Sequence, residues 1–340
     1  KIREQKELFS KKFCSKSDVT IQEAYYYEDE VRYITNEIMT LVNHNGYAYS
    51  DIAVIYRNGA LSRNFEIAFI QEKIPYNIYG SFAFLKRKEV KDMISYLRFI
   101  ADPSKIVHFK RIINVPSRGV GEKTIEKLQE YMKEYDCDIL SSIDIFKKNN
   151  TTSKTEALID FKNMIENLAK VLNEMSMPEF FDYMLEKTGY MEMLKAEAEA
   201  DEINRIDNVK EFKSILYQIE YNNLDQDLTQ AEKIEIGLDE LLLDTSMIDD
   251  HTTNGVVLST IHSVKGLEFK AVFVVGLEEG IFPAIREEVD MEEERRVAYV
   301  AFTRAKEKLY ITCSARRLIY GRLVRNPKSR FLIEYLNAED

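Results

Sequence analysis

The sequence predicts an α/β protein: a parallel-sheet domain interrupted by an all-helical insertion. Strand-like apolar runs alternate with helical stripes over residues 19–100, the alternation stops after Asp102-Pro103, and it resumes at Gly255. A length of 340 residues suits about two domains. Hydrophobic residues at 45% and aromatics at 11% are ample for packed cores. With Gly 12 and Pro 6, loops should be few or short.

Val19–Tyr27 reads as a strand. Asp29–Asn43 then sets Val31, Ile34, Ile38, Leu41 and Val42 on one helical stripe, with Asp29 and Glu30 where the helix dipole favours acids. Ile52-Ala53-Val54-Ile55-Tyr56 is a short apolar run of the kind buried in a parallel sheet. Leu61–Gln71 is helical, Tyr76–Tyr79 extended, and Glu89–Ile100 an amphipathic helix. From Phe109 to about Asp249 nearly every apolar stretch has helical spacing, for example Ile159, Met164, Ile165, Leu168, Val171 and Leu172. Beyond Gly255, Val256–Thr260, Ala271–Val275 and Lys308–Cys313 look like strands, with a helix at Glu292–Ala305 between the last two. Residues 1–102 and 253–340 are thus expected to form one discontinuous α/β domain around a helical insertion of residues 103–252. No internal repeat or low-complexity tract is seen.

Composition excludes several classes. Cys14, Cys137 and Cys313 are odd in number and widely spaced, which rules out a disulfide scaffold and offers no CxxC knuckle. Four scattered histidines argue against a metal site built from imidazoles, so no metal site is assigned. Lys1–Lys6 is not followed by the apolar region of a signal peptide, and no apolar run approaches the ~18 residues of a membrane span. The expectation is a reduced, soluble, cytoplasmic protein. The net charge of −11 is unevenly distributed: residues 192–250 hold 17 acidic against 5 basic residues, residues 292–330 hold 4 against 11. An anion could bind the C-terminal segment while the acidic stretch points elsewhere, although both patterns also suit ordinary solvated faces.

Three segments carry candidate chemistry. Gly119-Val120-Gly121-Glu122-Lys123-Thr124 is not a P-loop, because Glu122 stands where Lys must follow the last glycine. Pro116–Gly121 reads instead as a turn between helices. Its glycines would let a phosphate approach the N–H groups of the next helix, and a plain connecting turn fits as well. Thr260–Phe269 follows a strand, the side of an α/β sheet where ligands bind. It offers a hydroxyl, an imidazole, an ammonium and a carboxylate in Thr260, His262, Lys265 and Glu268; a lone histidine there is usually a structural hydrogen-bonder. In Glu292–Ala305, three glutamates suit a helix start, and Arg304 near its end could cap carbonyls or reach an external phosphate.

Thr260–Phe269, then Val274–Pro283, then Glu292–Ala305 together resemble motifs V, Va and VI of the UvrD/PcrA/Rep superfamily 1 DNA helicases. Ile52–Arg57 with Asn58, Ser62, Arg63 and Glu66 resembles motif IV. Pro75–Gly80 with Arg87, Glu89, Lys91 and Asp92 resembles the following signature, and Ile113–Gly121 the duplex-binding GxG element. Ser81 and Ala83 depart from the family pattern. Order and spacing match over nearly the whole chain. The sequence holds no GxxxxGK[ST], no Walker B strand and no glutamine motif. The resemblance is therefore to the second half of such a helicase: the RecA-like 2A domain with its helical 2B insertion, whose partner would be the N-terminal 1A/1B motor half.

What the resemblance implies follows residue by residue. Arg304 would be the arginine finger on the γ-phosphate, Glu268 and Gly266 would meet the nucleotide, and Lys265 would couple nucleotide state to DNA grip. Arg57, Asn58, Thr260 and His262 would contact single-stranded DNA, and Gly119 and Gly121 duplex DNA. The cofactors would be ATP and Mg2+, their site completed by 1A, and the activity an ATP-dependent 3′→5′ DNA helicase or translocase. This chain alone would not hydrolyse ATP. The insertion would pivot on Ala101–Ser104 and His251–Asn254. Other readings are the matching half of a helicase–nuclease subunit, or a non-catalytic DNA- or protein-binding module of the same fold.

Overall fold

The computed structural model describes residues 18–79, 83–149, 153–197, 202–224, 227–245, 253–285 and 290–337. Cys14, Gly80, Ser81, His251 and Thr252 lie outside these. The chain forms two compact units: Lys1–Phe82 with Ile248–Arg317 and Val324–Asp340, and Ala83–Met247 with Leu318–Leu323.

The first unit is built on a sheet. Its elements are β1 (Val19–Tyr26), α1 (Tyr27–Asn45), β2 (Ile52–Tyr56), α2 (Ser62–Gln71) and β3 (Tyr76–Tyr79). After the insertion come β4 (Val256–Thr260), β5 (Phe269–Val275), α12 (Met291–Phe302), β6 (Ala305–Ile319), whose end passes into the second unit with most of β7 (Arg322–Val324), and α13 (Arg330–Asn337). The order is β1-β6-β5-β2-β4-β3, and each of these pairings is parallel; β7 pairs with β6. One row crosses the sheet through Ile21, Ile311, Val274, Ile55, Ser259 and Tyr79. β2, central and covered on both faces, is buried at all its residues, as its unbroken apolar run requires. On one face Val297, Ala298 and Ala301 of α12 pack with Ala53, Ile55, Val272, Val274 and Ile311.

The second unit holds α3 (Lys88–Ala101), α4 (Ile106–Ile112), α5 (Glu122–Tyr135), α6 (Ile139–Asn149) and α7 (Ser153–Val171), then α8 (Met177–Thr188), α9 (Tyr190–Ala196), α10 (Glu202–Asn222) and α11 (Gln230–Thr245). Its start precedes the expected Asp102/Pro103 boundary. The reason is packing: Val90, Met93, Leu97, Phe99 and Ile100 of α3 share one buried cluster with Phe109, Phe161, Phe180 and Phe212. The β6–β7 turn joins it too, Tyr320 N–H donating to Glu211 and Gly321 N–H to Ser214. In α7 the most buried line is Leu158, Phe161, Ile165 and Leu168, continued by Leu172 just past its end, with Ile159, Met164 and Val171 only flanking it. Among the described residues no helix is long and apolar enough to cross a membrane.

The helix expected over Glu292–Ala305 ends at Phe302, and β6 starts at Ala305. Capping explains the early stop. Thr303 Oγ1 donates to Tyr299 O (2.9 Å) and Val300 O (3.1 Å), and Arg304 Nε to Val300 O (2.9 Å), closing the last turn.

Candidate functional site

After β4 the chain stays pinned while its polar side chains turn outward. Ile261 N–H donates to Tyr56 O (3.0 Å), and Ile261 and Val264 are buried anchors. Between and after them His262, Ser263, Lys265, Gly266 and Glu268 are exposed. Gly266 has φ +92, and an added Cβ there would meet nothing within 4 Å; backbone conformation, not space, requires glycine.

This loop and the end of α12 are joined at Arg304. Its Nη1 donates to Leu267 O (3.0 Å), its Nη2 to Thr303 Oγ1 (3.1 Å), and its carbonyl accepts from Phe269 N–H (2.9 Å). With Nε on Val300 O, three of the five guanidinium N–H groups are used and two remain. Both roles open to Arg304 in the sequence are therefore compatible: the caps fix the guanidinium and spare donors. Leu267, the residue Arg304 caps, is flanked in the chain by Gly266 and Glu268, and Lys306 Nζ lies 3.8 Å from Glu268 Oε2. Lys265 has no side-chain partner among the described residues.

A second group forms at the C-terminal end of β2. Arg57 Nε donates to Glu294 Oε1 (2.9 Å) and Oε2 (3.2 Å), and Nη2 to Oε1 (2.7 Å). Glu294 is 3% exposed, and its Oε2 also accepts from Ala284 N–H (3.1 Å). Thr260 Oγ1 shares a hydrogen bond with Ser263 Oγ (3.0 Å). Desolvation by the groups around the ring and the nearby Arg57 guanidinium push the His262 pKa below its ordinary value, against opposing pulls from Glu294 and Glu293. The imidazole is thus neutral near pH 7. Asn58 has a structural duty that the sequence reading does not include: its Oδ1 accepts from Ala60 N–H (2.9 Å) and caps a short turn at Gly59–Leu61.

Gly119 and Gly121 belong to the helical unit, in the turn between α4 and α5. Asn114 clamps this turn, Oδ1 accepting from Val120 N–H (3.0 Å) and Nδ2 donating to Val120 O (2.5 Å). Arg118 Nη1 caps the carbonyls of Ile112, Ile113 and Pro116 (3.1 Å each) while its guanidinium lies over the Phe161 ring. Only Gly119 is left-handed, with φ +70; Gly121, at φ −80 and ψ 164, is the N-cap of α5.

Sequence reasoning missed the buried charges. Glu294 falls on the buried stripe of α12 with Val297, Ala298 and Ala301, whereas Glu292 and Glu293 pair on the surface with Arg295 and Arg296. Glu30 likewise lies on the α1 stripe with Val31, Ile34, Ile38 and Leu41. It and Glu278 hold Arg317, whose Nε donates to Glu278 Oε2 (2.9 Å) and Nη2 to Glu30 Oε2 (2.5 Å). Burial would push the Arg317 pKa down, but the two carboxylates outweigh it and leave it raised. The available signal was an acid set on an apolar helical stripe, Glu294 with Val297, Ala298 and Ala301 at i+3, i+4 and i+7, and Glu30 with Ile34 and Ile38 at i+4 and i+8.

Residues 2–316 match the family model of the UvrD-like helicase C-terminal domain. The chain is 40% identical over 326 residues to the ATP-dependent DNA helicase PcrA of Staphylococcus epidermidis, covering 91% of this chain and 43% of that protein. It is 39% identical over 328 residues to PcrA of Staphylococcus aureus, covering 92% of this chain and 44% of that protein. The chain thus spans less than half the length of these relatives.

Proposed function

Because the chain belongs to the UvrD-like helicase C-terminal domain family, we propose that it is the 2A–2B half of an ATP-dependent 3′→5′ DNA helicase or translocase. The sheet unit would serve as 2A and the helical unit as 2B. The observation that carries this reading is the joint of the 260–269 loop to the end of α12 through Arg304, Leu267 and Phe269. It holds a guanidinium with two spare donors beside Glu268 and Gly266, while the same loop begins beside Arg57 and His262.

The residues fit a nucleotide on one edge. Arg304 is fixed by three caps, so its fork needs little reordering to meet developing phosphate charge. Such a finger is worth about 10³–10⁵ in rate. The exposed Glu268 carboxylate can accept a ribose hydroxyl. When bound, ATP would supply the γ-phosphoryl group and, through contacts absent in the open state, favour closure against the 1A half. Among the described residues no cluster of three metal-ligating side chains is found, and Mg2+ is assigned no ligand in this chain.

On the other edge, Arg57 keeps three N–H groups beyond its bonds to Glu294, Thr260 offers a hydroxyl, and neutral His262 a ring nitrogen. Asn58 adds its carboxamide, and Lys265 lies between the two edges. In the helical unit, the first-turn N–H groups of α5 behind Gly119 and Gly121 would take duplex phosphates. The test is DNA-stimulated ATP hydrolysis by the full-length protein, with Arg304→Ala as its control. Loss of about 10³ in turnover with single-strand affinity retained is expected. A loss below tenfold would leave Arg304 as a cap alone.

A further inference from the structure

The Arg57–Glu294 pair has a shape that a surface ion pair does not need. Glu294 is a carboxylate buried to 3% exposure, and its desolvation is costly unless its oxygens are satisfied. They are: Oε1 takes Arg57 Nε and Nη2, and Oε2 takes Arg57 Nε and Ala284 N–H. The pairing uses one edge of the guanidinium and leaves Nη1 and one N–H of Nη2 unspent. The Arg57 side chain is 26% exposed, so the unspent edge has access to solvent. Glu294 stands in the first turn of α12, and Arg304 two residues beyond its last turn. One rigid helix therefore joins the carboxylate that grips Arg57 to the guanidinium that grips Leu267.

We infer that Glu294 is a positioning residue that aims the free edge of Arg57 at a nucleic-acid phosphate and transmits occupancy of that edge along α12 to Arg304. This rests on the function proposed above and adds to it a named route between strand and nucleotide. A phosphate on the free edge completes the guanidinium's hydrogen bonding and stiffens the pair. The N-terminal turn of α12 is then held to β2, and the caps around Arg304 at its other end are held with it. Without Glu294 the arginine keeps its charge but loses its aim.

The sign of one substitution separates this from plain electrostatics. Glu294→Gln removes a negative charge close to the strand path, so charge alone predicts tighter DNA binding. Positioning predicts weaker binding, by about tenfold, the scale of one well-aimed charge-assisted hydrogen bond. The measurements are single-stranded oligonucleotide affinity across a salt series, and ATPase rates of the full-length protein with and without oligonucleotide. The expected result is weaker binding, a salt slope reduced by about 0.7, and a strand-stimulated rate falling about tenfold further than the unstimulated one. Unchanged or tighter binding overturns the inference, and so does an equal fall in both rates, the mark of a merely structural role. If Glu294→Gln does not fold, Arg57→Gln and Arg57→Gln/Glu294→Gln replace it. Equal strand affinity in these two variants supports the inference, because Glu294 then has no arginine to aim, and a further loss in the double variant overturns it. Absence of strand binding and stimulation in the wild type removes the helicase reading itself, a separable outcome.

Discussion

The turn at Gly119 and Gly121 allows a sharper test than its sequence suggests. At Gly119 an added Cβ meets nothing within 4 Å, so alanine costs only the left-handed conformation at φ +70, about 1 kcal/mol. At Gly121 the backbone is extended, φ −80 and ψ 164, and the space is also open. Alanine fits that backbone and restricts the unfolded chain, a gain of about 0.4–1 kcal/mol, but it is a poorer N-cap for α5 than glycine and loses a similar amount. The clamp from Asn114 and the caps from Arg118 do not involve either Cβ. Gly121→Ala alone should therefore unfold close to the wild-type temperature, and the double variant should be about 1 kcal/mol less stable than wild type. If phosphates approach the first-turn N–H groups of α5, each methyl stands in their way. Duplex affinity should fall about tenfold per lost contact, while single-strand binding by the sheet unit is untouched. Thermal unfolding and fluorescence titration with blunt duplex and with single strands are the assays. Wild-type duplex affinity in a folded Gly121→Ala variant would refute the phosphate role.

Arg304→Lys keeps the charge but not the fork that spans Val300 O, Leu267 O and Thr303 Oγ1; we expect ATPase nearly as low as in Arg304→Ala, read by steady-state turnover. Arg57→Ala should weaken strand binding, and because it leaves Glu294 buried and unpaired it should also destabilise the protein by about 2–3 kcal/mol, read by chemical denaturation. Arg317→Met should be worse, about 3–5 kcal/mol, since Glu30 and Glu278 would both lose their counter-charge; folded protein of wild-type stability would contradict this. His262 titrates below its ordinary value, so between that lowered pKa and the usual 6.5 the unfolded chain binds the extra proton and stability rises with pH. Above pH 7 the ring carries no charge, and His262→Ala should weaken strand binding without altering its salt slope, checked by titration at several ionic strengths.

What the sequence by itself determined is whatever depends on local period and on chain order. The apolar run Ile52–Tyr56 has the length and β-branched content of a buried strand, and the stripe through Ile34, Ile38 and Leu41 the period of a helix's inner face. The segments bearing Thr260, His262, Lys265, Glu268 and Arg304 were legible because a strand end and a helix end fall where a ligand-binding edge needs them. Tertiary structure decided the rest. Arg57 and Glu294 are far apart in the chain, and only the β2–β5 pairing with α12 laid across it brings them to 2.7 Å. Arg317, Glu30 and Glu278 meet because β6 pairs between β1, which leads into α1, and β5, which leads to Glu278. The extent of the helical unit was likewise settled by side-chain packing, because α3 has the same pattern whichever core receives it. Amphipathic period specifies that a face is buried, while the partner that buries it is chosen by the global packing, where a buried charge must find its opposite.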